Sequence, residues 1–292
     1  MGRNSRIEWT HHTFNPWWGC SKVSPACKNC YAEAWAGRLG FSIWGDRSVR
    51  RFFGEDHWAE PIEWNREAEA NGERRRVFCA SMADVFEDRK DLNPWRERLW
   101  SLIDRTTSLD WLLLTKRPEC IESCVPWRAE WPRNVWLGTT IETQGWALKR
   151  IPDLLKHPAV LRFVSCEPLL GHLDLKRWLS QPDSTRSRQN IHGINWVIAG
   201  GESGPRARPM NPAWAEDLRD QCASAGVPFH FKQWGHWRPA GDRDALGART
   251  VRVQDRNGRL ITLVKLGKKA AGRELAGKIW DAVPEPGIPM AR

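Results

Sequence analysis

The chain has 292 residues, a net charge of +10 and a sequence pI of about 9.5. Its apolar content of 41% is enough for one large α/β domain or two small ones. No run approaches the roughly 18 apolar residues of a membrane span, and the opening MGRNSRIEWT has no apolar core of the secretory kind.

The setting expected from this is cytoplasmic, with no membrane. The basic balance suggests a polyanionic partner such as nucleic acid, although a soluble protein that happens to be basic fits the same numbers. Tryptophan is over-represented, with 20 Trp against the single Tyr31, and so many indoles suggest that several line clefts.

In chain order, Ile7 to Trp9 is expected to form a short first strand. Thr13 to Tyr31, TFNPWWGCSKVSPACKNCY, reads as a loop because Pro16, Gly19, Ser24 and Pro25 interrupt any helix or strand. It carries Cys20, Cys27 and Cys30 as a C-x6-C-x2-C array. Tyr31 to Arg38 reads as a helix stopped by Gly40. Residues 41 to 75 show no clear period, with a helix expected over Trp58 to Glu69.

A rhythm then begins. Apolar runs start at Val77, Trp111, Val135, Leu161, Trp196 and Pro228, with helices expected over Pro94 to Asp104, Gln144 to Leu155 and Pro212 to Ala225. Short continuous apolar runs separated by helices mark a parallel sheet covered on both faces. The fold class expected is α/β, a partial or complete (β/α) barrel. Ser81 and Asp84, Lys116, Glu142, Glu167, Glu202 and Lys232 each follow a run. In parallel α/β folds the site lies at those C-terminal strand ends. Ordinary loop polarity explains any one of them; their recurrence points to a site.

The tail differs. Thr250 to Gln254 and Leu260 to Val264 flank Asn257-Gly258 as a hairpin, followed by Lys265, Lys268, Lys269, Arg273 and Lys278. A barrel domain over 1–239 and a basic extension over 240–292 are expected. The extension's cations could follow phosphates or simply be solvated. Gln181 to Gln189 reads as a mobile polar insertion.

Clustered thiols in a reducing compartment argue for metal rather than disulfides. Cys79, Cys120, Cys124, Cys166 and Cys222 are scattered and read as small core residues. Three thiolates on one loop leave a fourth position open. That suits a [4Fe–4S] cluster with one uncovered iron, or a zinc completed by His11 or His12. An uncovered iron can chelate S-adenosylmethionine, whose reductive cleavage gives a 5′-deoxyadenosyl radical. The usual array for that chemistry is C-x3-C-x2-C, so spacing alone leaves both metals open.

The segments TFNPWWGCSKVSPACKNCYAE, FCASMADVFED, LLLTKRP, VWLGTTIET, FVSCEPLLG, WVIAGGESGPRARPM, PFHFKQWG and GKKAAGRELAGKIWD resemble, in this order, a largely uncharacterised family. It occurs in bacteria and their phages and is grouped with radical S-adenosylmethionine enzymes. The resemblance runs from about Ile7 to Trp280. It implies a [4Fe–4S] cluster on Cys20, Cys27 and Cys30, S-adenosylmethionine as cofactor, a radical-SAM-like partial barrel, and an electron donor such as flavodoxin or ferredoxin. It supplies no substrate.

Gly200-Gly201-Glu202 looks like the Gly-Gly-Glu that binds the S-adenosylmethionine amino group in the wider superfamily. There it follows the second strand; here it follows a late one. Ser81, Asp84, Glu142 and Glu167 are the other candidates for holding the cofactor. Lys116, Arg117, Lys232 and Gln233 suit a phosphate or carboxylate on the substrate. Tyr31 and Cys166 could pass a hydrogen atom, against the alternative of packing. Charge and abundant Trp suggest a nucleic acid or nucleotide-like substrate. The rival reading is a non-catalytic nucleic-acid-binding protein stabilised by zinc or a cluster.

Overall fold

A computed structural model of the chain describes residues 2–179, 193–241, 244 and 247–285. The insertion Gln181 to Gln189 lies outside the described residues. The first half contains β1 (His12–Thr13), β2 (Trp17–Trp18), α1 (Tyr31–Arg38), β3 (Arg51–Phe52), α2 (Glu55–Ala70), β4 (Arg75–Cys79), α3 (Asn93–Arg105), β5 (Leu109–Thr115), α4 (Ile121–Cys124), β6 (Val135–Thr140) and α5 (Gln144–Leu155). It continues with β7 (Leu161–Cys166), β8 (Trp196–Gly200), α6 (Pro212–Ala225) and β9 (Phe229–Gln233). The C-terminal part holds β10 (Trp237–Pro239), β11 (Thr250–Gln254), β12 (Leu260–Lys265), α7 (Lys268–Ala271), β13 (Glu274–Leu275) and β14 (Lys278–Ile279).

Seven strands form one parallel sheet in the order β1-β4-β5-β6-β7-β8-β9. The sheet curls, because the Trp9 ring, just before β1, meets Trp196 of β8 at 6.1 Å across the concave side. The result is a partial (β/α) barrel, open between β1 and β9. Alternation along each strand separates two cores. Val77, Trp111, Val135, Val164, Val197 and Phe231 point out to the helices, while Phe78, Leu112, Trp136, Phe163, Trp196 and Ile198 fill the barrel floor. Burial on both faces is why these strands read as unbroken apolar runs.

The floor is tight around Gly138, whose register partner is Phe163. A Cβ there would lie 2.4 Å from the Phe163 ring. Gly138→Ala is therefore expected to destabilise the fold by about 1–3 kcal/mol through overpacking, measured as a lower denaturant midpoint at unchanged slope.

The first strand lies later than expected. Residues 7 to 9 form a turn in which Thr10 N donates to Ile7 O at 3.1 Å, and pairing begins when His11 N reaches Arg76 O at 3.0 Å. That turn drops Trp9 into the barrel instead of leaving it on a strand face. The tail hairpin forms as expected, with Gln254 opposite Leu260. Asp255 Oδ1 accepts from Asn257 N and Arg259 N at 2.9 and 2.8 Å, and Gly258 takes the positive φ that the turn needs. β10 adds a third strand to it.

The chain then returns to β9, where Trp280 O accepts from Phe231 N at 2.7 Å and Leu275 enters the main core. This segment covers the free edge of β9. Among the described residues no helix is long and apolar enough to cross a membrane.

Candidate functional site

A cavity of about 800 Å³ opens at the C-terminal mouth of the barrel, and Cys20, Cys27 and Cys30 all line it. None of the eight cysteines is in a disulfide. The loop that carries the three is fastened to successive strand ends. After β4, Met82 N donates to Asn15 Oδ1 at 2.7 Å, and Gly19 N donates to Met82 O at 3.0 Å. Gly19 sits at φ +116, where a Cβ would meet Ile43 O at 2.5 Å, so the close approach requires glycine here. After β5, Arg117 Nη2 donates to Ser21 O and Ser21 Oγ at 2.9 and 2.8 Å. After β6, Glu142 Oε1 accepts from Ala26 N at 3.2 Å. After β8, Glu202 Oε2 accepts from Asn29 Nδ2 at 3.0 Å.

Several carboxylates expected to hold a cofactor are thus occupied in holding the loop. Asp84 is buried and accepts from Thr115 Oγ1 (2.7 Å), Lys116 N, Arg117 Nη1 (both 3.0 Å) and Phe86 N (3.1 Å). Burial works against its charge, but the Arg117 guanidinium and these donors outweigh it, so its pKa lies below the usual aspartate value. Glu142 does not line the cavity. It is fully buried against Arg150, Nη1 to Oε2 2.9 Å, and acts on the site through Ala26.

Glu202 lines the cavity, yet Arg208 N and Nε both donate to its Oε2 at 2.8 Å. Desolvation opposes ionisation of Glu202, and the Arg208 bonds prevail and lower its pKa. Gly201 also lines the cavity, pressed onto Trp234 O, which a Cβ would approach to 2.0 Å. Gly200 stands behind the wall, where a Cβ would come within 2.6 Å of Glu167 Oε1. Its lack of a side chain lets the Glu167 carboxylate reach inward.

The groups facing the cavity with capacity for a ligand are fewer. Glu167 pairs with Lys232 Nζ at 3.2 Å. Thr140, Ser165 and Lys116 line the same cavity. Gln233 does too, and its Oε1 is buried without a hydrogen-bond partner among the described residues. Ser81 lines the cavity and its Oγ accepts from Asn15 Nδ2 at 3.1 Å. Tyr31 donates its hydroxyl to Ser81 O at 2.7 Å, while the residue as a whole stays 55% exposed and lines the cavity. Cys166 is buried in the helix-side core and does not reach the cavity. Its outward position in β7 accounts for that.

Arg117 is the residue whose weight the sequence understated. Held by Asp84 and Ser21, it points Nη1 at Cys20 Sγ, 3.7 Å away. Burial pushes the Cys20 thiol up to about 12, Asp84 adds to that, and Arg117 opposes it. Behind it, Arg50 and Glu87 form a second buried ion pair, 2.6 Å, and Glu87 Oε1 accepts from Ser21 Oγ at 2.8 Å. Arg50 lies in the stretch without a readable period, so no pattern pointed to it.

Among the described residues no three His, Cys, Asp or Glu side chains are gathered closely enough to hold a single metal ion. The zinc alternative gains nothing from the histidines. His11 Nδ1 accepts from Arg76 N at 2.8 Å, His12 stacks on Trp64 at 4.5 Å, and neither lines the cavity. The donor set itself fits a thiolate-bound cluster. Three free thiols line one cavity, and a fixed guanidinium faces one of them, so charge accumulating on the sulfurs meets a counter-charge.

The chain belongs to the family described as Protein of unknown function (DUF5131), whose model matches residues 4–284. No curated protein matches the sequence. Similar solved structures include a spore photoproduct lyase double mutant with bound AdoMet and dinucleoside spore photoproduct, at 10% identity and a TM-score of 0.44. A spore photoproduct lyase complexed with dinucleoside spore photoproduct matches at 10% identity and a TM-score of 0.45. Each likeness covers 91% of this chain and 71% of the other.

Proposed function

We propose that this member of the DUF5131 family is a radical S-adenosylmethionine enzyme acting on a nucleic acid or nucleotide-like substrate. One observation carries the reading: three free cysteines of one rigidly fastened loop face a single cavity at the C-terminal mouth of a parallel half-barrel. Cys20, Cys27 and Cys30 would hold a [4Fe–4S] cluster. Such a cluster, with S-adenosylmethionine and an electron from a donor such as flavodoxin or ferredoxin, supplies a 5′-deoxyadenosyl radical that abstracts hydrogen from unreactive C–H bonds.

The chain's own residues do the rest. Asn15, Arg117, Glu142 and Glu202 fix the cysteine loop against strand ends, so the thiols are placed before anything binds. Thr140, Ser165, Glu167, Lys232 and Gln233 line the same cavity as the loop and offer donors and acceptors suited to the amino, carboxylate and ribose groups of the cofactor. Trp9, Phe78 and Leu114 close the cavity floor with apolar surface and exclude water beneath it. Tyr31, with its hydroxyl tied to Ser81 O, keeps a ring face open toward the substrate. A reducing cytoplasm is the setting in which eight thiols stay free.

The test is anaerobic reconstitution with iron and sulfide, then incubation with S-adenosylmethionine and dithionite and chromatography for 5′-deoxyadenosine. A brown protein that forms 5′-deoxyadenosine is the expected result. A colourless protein holding one zinc would replace this reading with a non-catalytic, nucleic-acid-binding one.

A further inference from the structure

The carboxylates lining the cavity are matched, Asp84 by Arg117, Glu167 by Lys232 and Glu202 by Arg208. Several of its cations are not. Arg6, Lys116 and Lys268 line the same cavity and form no ion pair among the described residues. The surplus continues outward. Lys268 opens α7 beside the exposed Lys269. Leu266 N and Gly267 N donate to His236 O at 3.0 and 3.3 Å, and His236 N donates to Glu202 O at 3.0 Å. The start of α7 is thereby tied to the loop that carries Glu202. From that same loop the exposed Arg206 stands next to the cysteine loop, its carbonyl accepting from Asn29 Nδ2 at 2.9 Å.

Beyond α7 lies the three-stranded sheet. Val251, Val253 and Ile261 pack inward with Trp237 and Leu263. Alternation therefore turns Arg252 outward, and Arg249 is exposed at the head of the same strand. Neither has an acidic partner among the described residues, and the Arg249 guanidinium lies 5.9 Å from the centre of the Trp237 ring. Between residues 247 and 285 there are nine Lys or Arg and four Asp or Glu, one of which, Asp255, is occupied in the hairpin turn.

We infer that cavity and sheet form one site for a single-stranded polynucleotide. One nucleotide sits in the cavity, and the flanking phosphates lie on Arg206, Lys268, Lys269, Arg249 and Arg252. The inference rests on the radical-enzyme reading for what happens to that nucleotide. A volume of about 800 Å³ suits groups of nucleotide size. A base reaches such a pocket only when it is out of its stack, which a single strand supplies without unpairing. The open ring of Tyr31 gives it a stacking face. A small-molecule substrate would account for the cations lining the cavity but not for Arg252 on the outer face of β11 or for Arg249 at its head.

The test is fluorescence anisotropy of the reconstituted protein with a labelled oligonucleotide of about 16 nucleotides. Single strands of DNA and RNA, the matching duplex and a competing mononucleotide are compared across a salt series. The expected result is that a single strand binds more tightly than the duplex, and that the mononucleotide competes weakly. A variant combining Arg249→Glu, Arg252→Glu and Lys269→Glu should bind at least about tenfold more weakly. Its slope of log K against log salt should be shallower by about 2, at roughly 0.7 per lost phosphate contact.

Equal binding by this variant, a preference for duplex, or a mononucleotide that binds as well as the strand would each overturn the inference. Formation of 5′-deoxyadenosine with no oligonucleotide binding overturns the track alone. Oligonucleotide binding with no 5′-deoxyadenosine overturns the reaction and leaves the track standing.

Discussion

Cys27→Ala is expected to abolish 5′-deoxyadenosine formation and to lower iron and sulfide content after reconstitution, while the fold stays near wild-type stability. The reason is how little else this side chain does. Cys27 is half-buried, and among the described residues its thiol has one hydrogen-bond contact, Ser24 Oγ at 4.0 Å. Removing it costs little packing, so lost iron reports lost ligation. Cys222→Ala is the informative contrast. Cys222 is fully buried in the helix-side core, and its truncation should lower the unfolding midpoint and leave iron and product unchanged. Iron analysis, visible absorbance and denaturant unfolding on both variants separate the two roles. If Cys27→Ala kept its iron and its product, the assignment of the loop as cluster ligand would fail.

Asp84→Ala should destabilise the fold by about 3–5 kcal/mol, because it leaves the buried Arg117 guanidinium with Glu87, 4.0 Å away, as its remaining acidic partner among the described residues. Both side chains are 7% exposed, so solvent cannot take over the lost partner. The damage should spread to the cysteine loop, since Arg117 is what grips Ser21 and faces Cys20. Lower iron retention should therefore accompany the lower midpoint.

The effect has a pH signature. The folded pKa of Asp84 lies below its unfolded value. Its contribution is therefore fully present above the usual aspartate range and is lost as pH falls through the depressed value. The stability difference between wild type and Asp84→Ala should stay constant around neutrality and shrink in acid. A difference that is unchanged by acid would place the destabilisation in packing instead of charge.

Much of the barrel was legible because its physics is local. Strands buried on both faces read as continuous apolar runs, and six of the seven sheet strands overlap the runs at Val77, Trp111, Val135, Leu161, Trp196 and Pro228. Helices over Tyr31–Arg38, Asn93–Arg105, Gln144–Leu155 and Pro212–Ala225 follow from their composition and stops. The first strand was misplaced because two paired residues leave no pattern. Its position depends on where Arg76 presents its carbonyl.

The candidate site was legible to the level of strand ends and no further. Period-two counting from the floor carries Leu112 to Leu114 and Lys116, and Phe163 to Ser165 and Glu167, and each reaches the cavity. The same count fails for Glu142, because the chain leaves β6 at Thr140 and folds the carboxylate back onto Arg150.

The sequence by itself determined the class of fold, the cysteine array and the placement of polar residues after each strand, since periodicity and spacing are written along the chain. Which of those polar residues line the cavity and which hold the loop is settled in three dimensions. That choice depends on partners 60 to 180 residues apart, such as Ser21 with Arg117 and Asn29 with Glu202, which meet because the sheet curls.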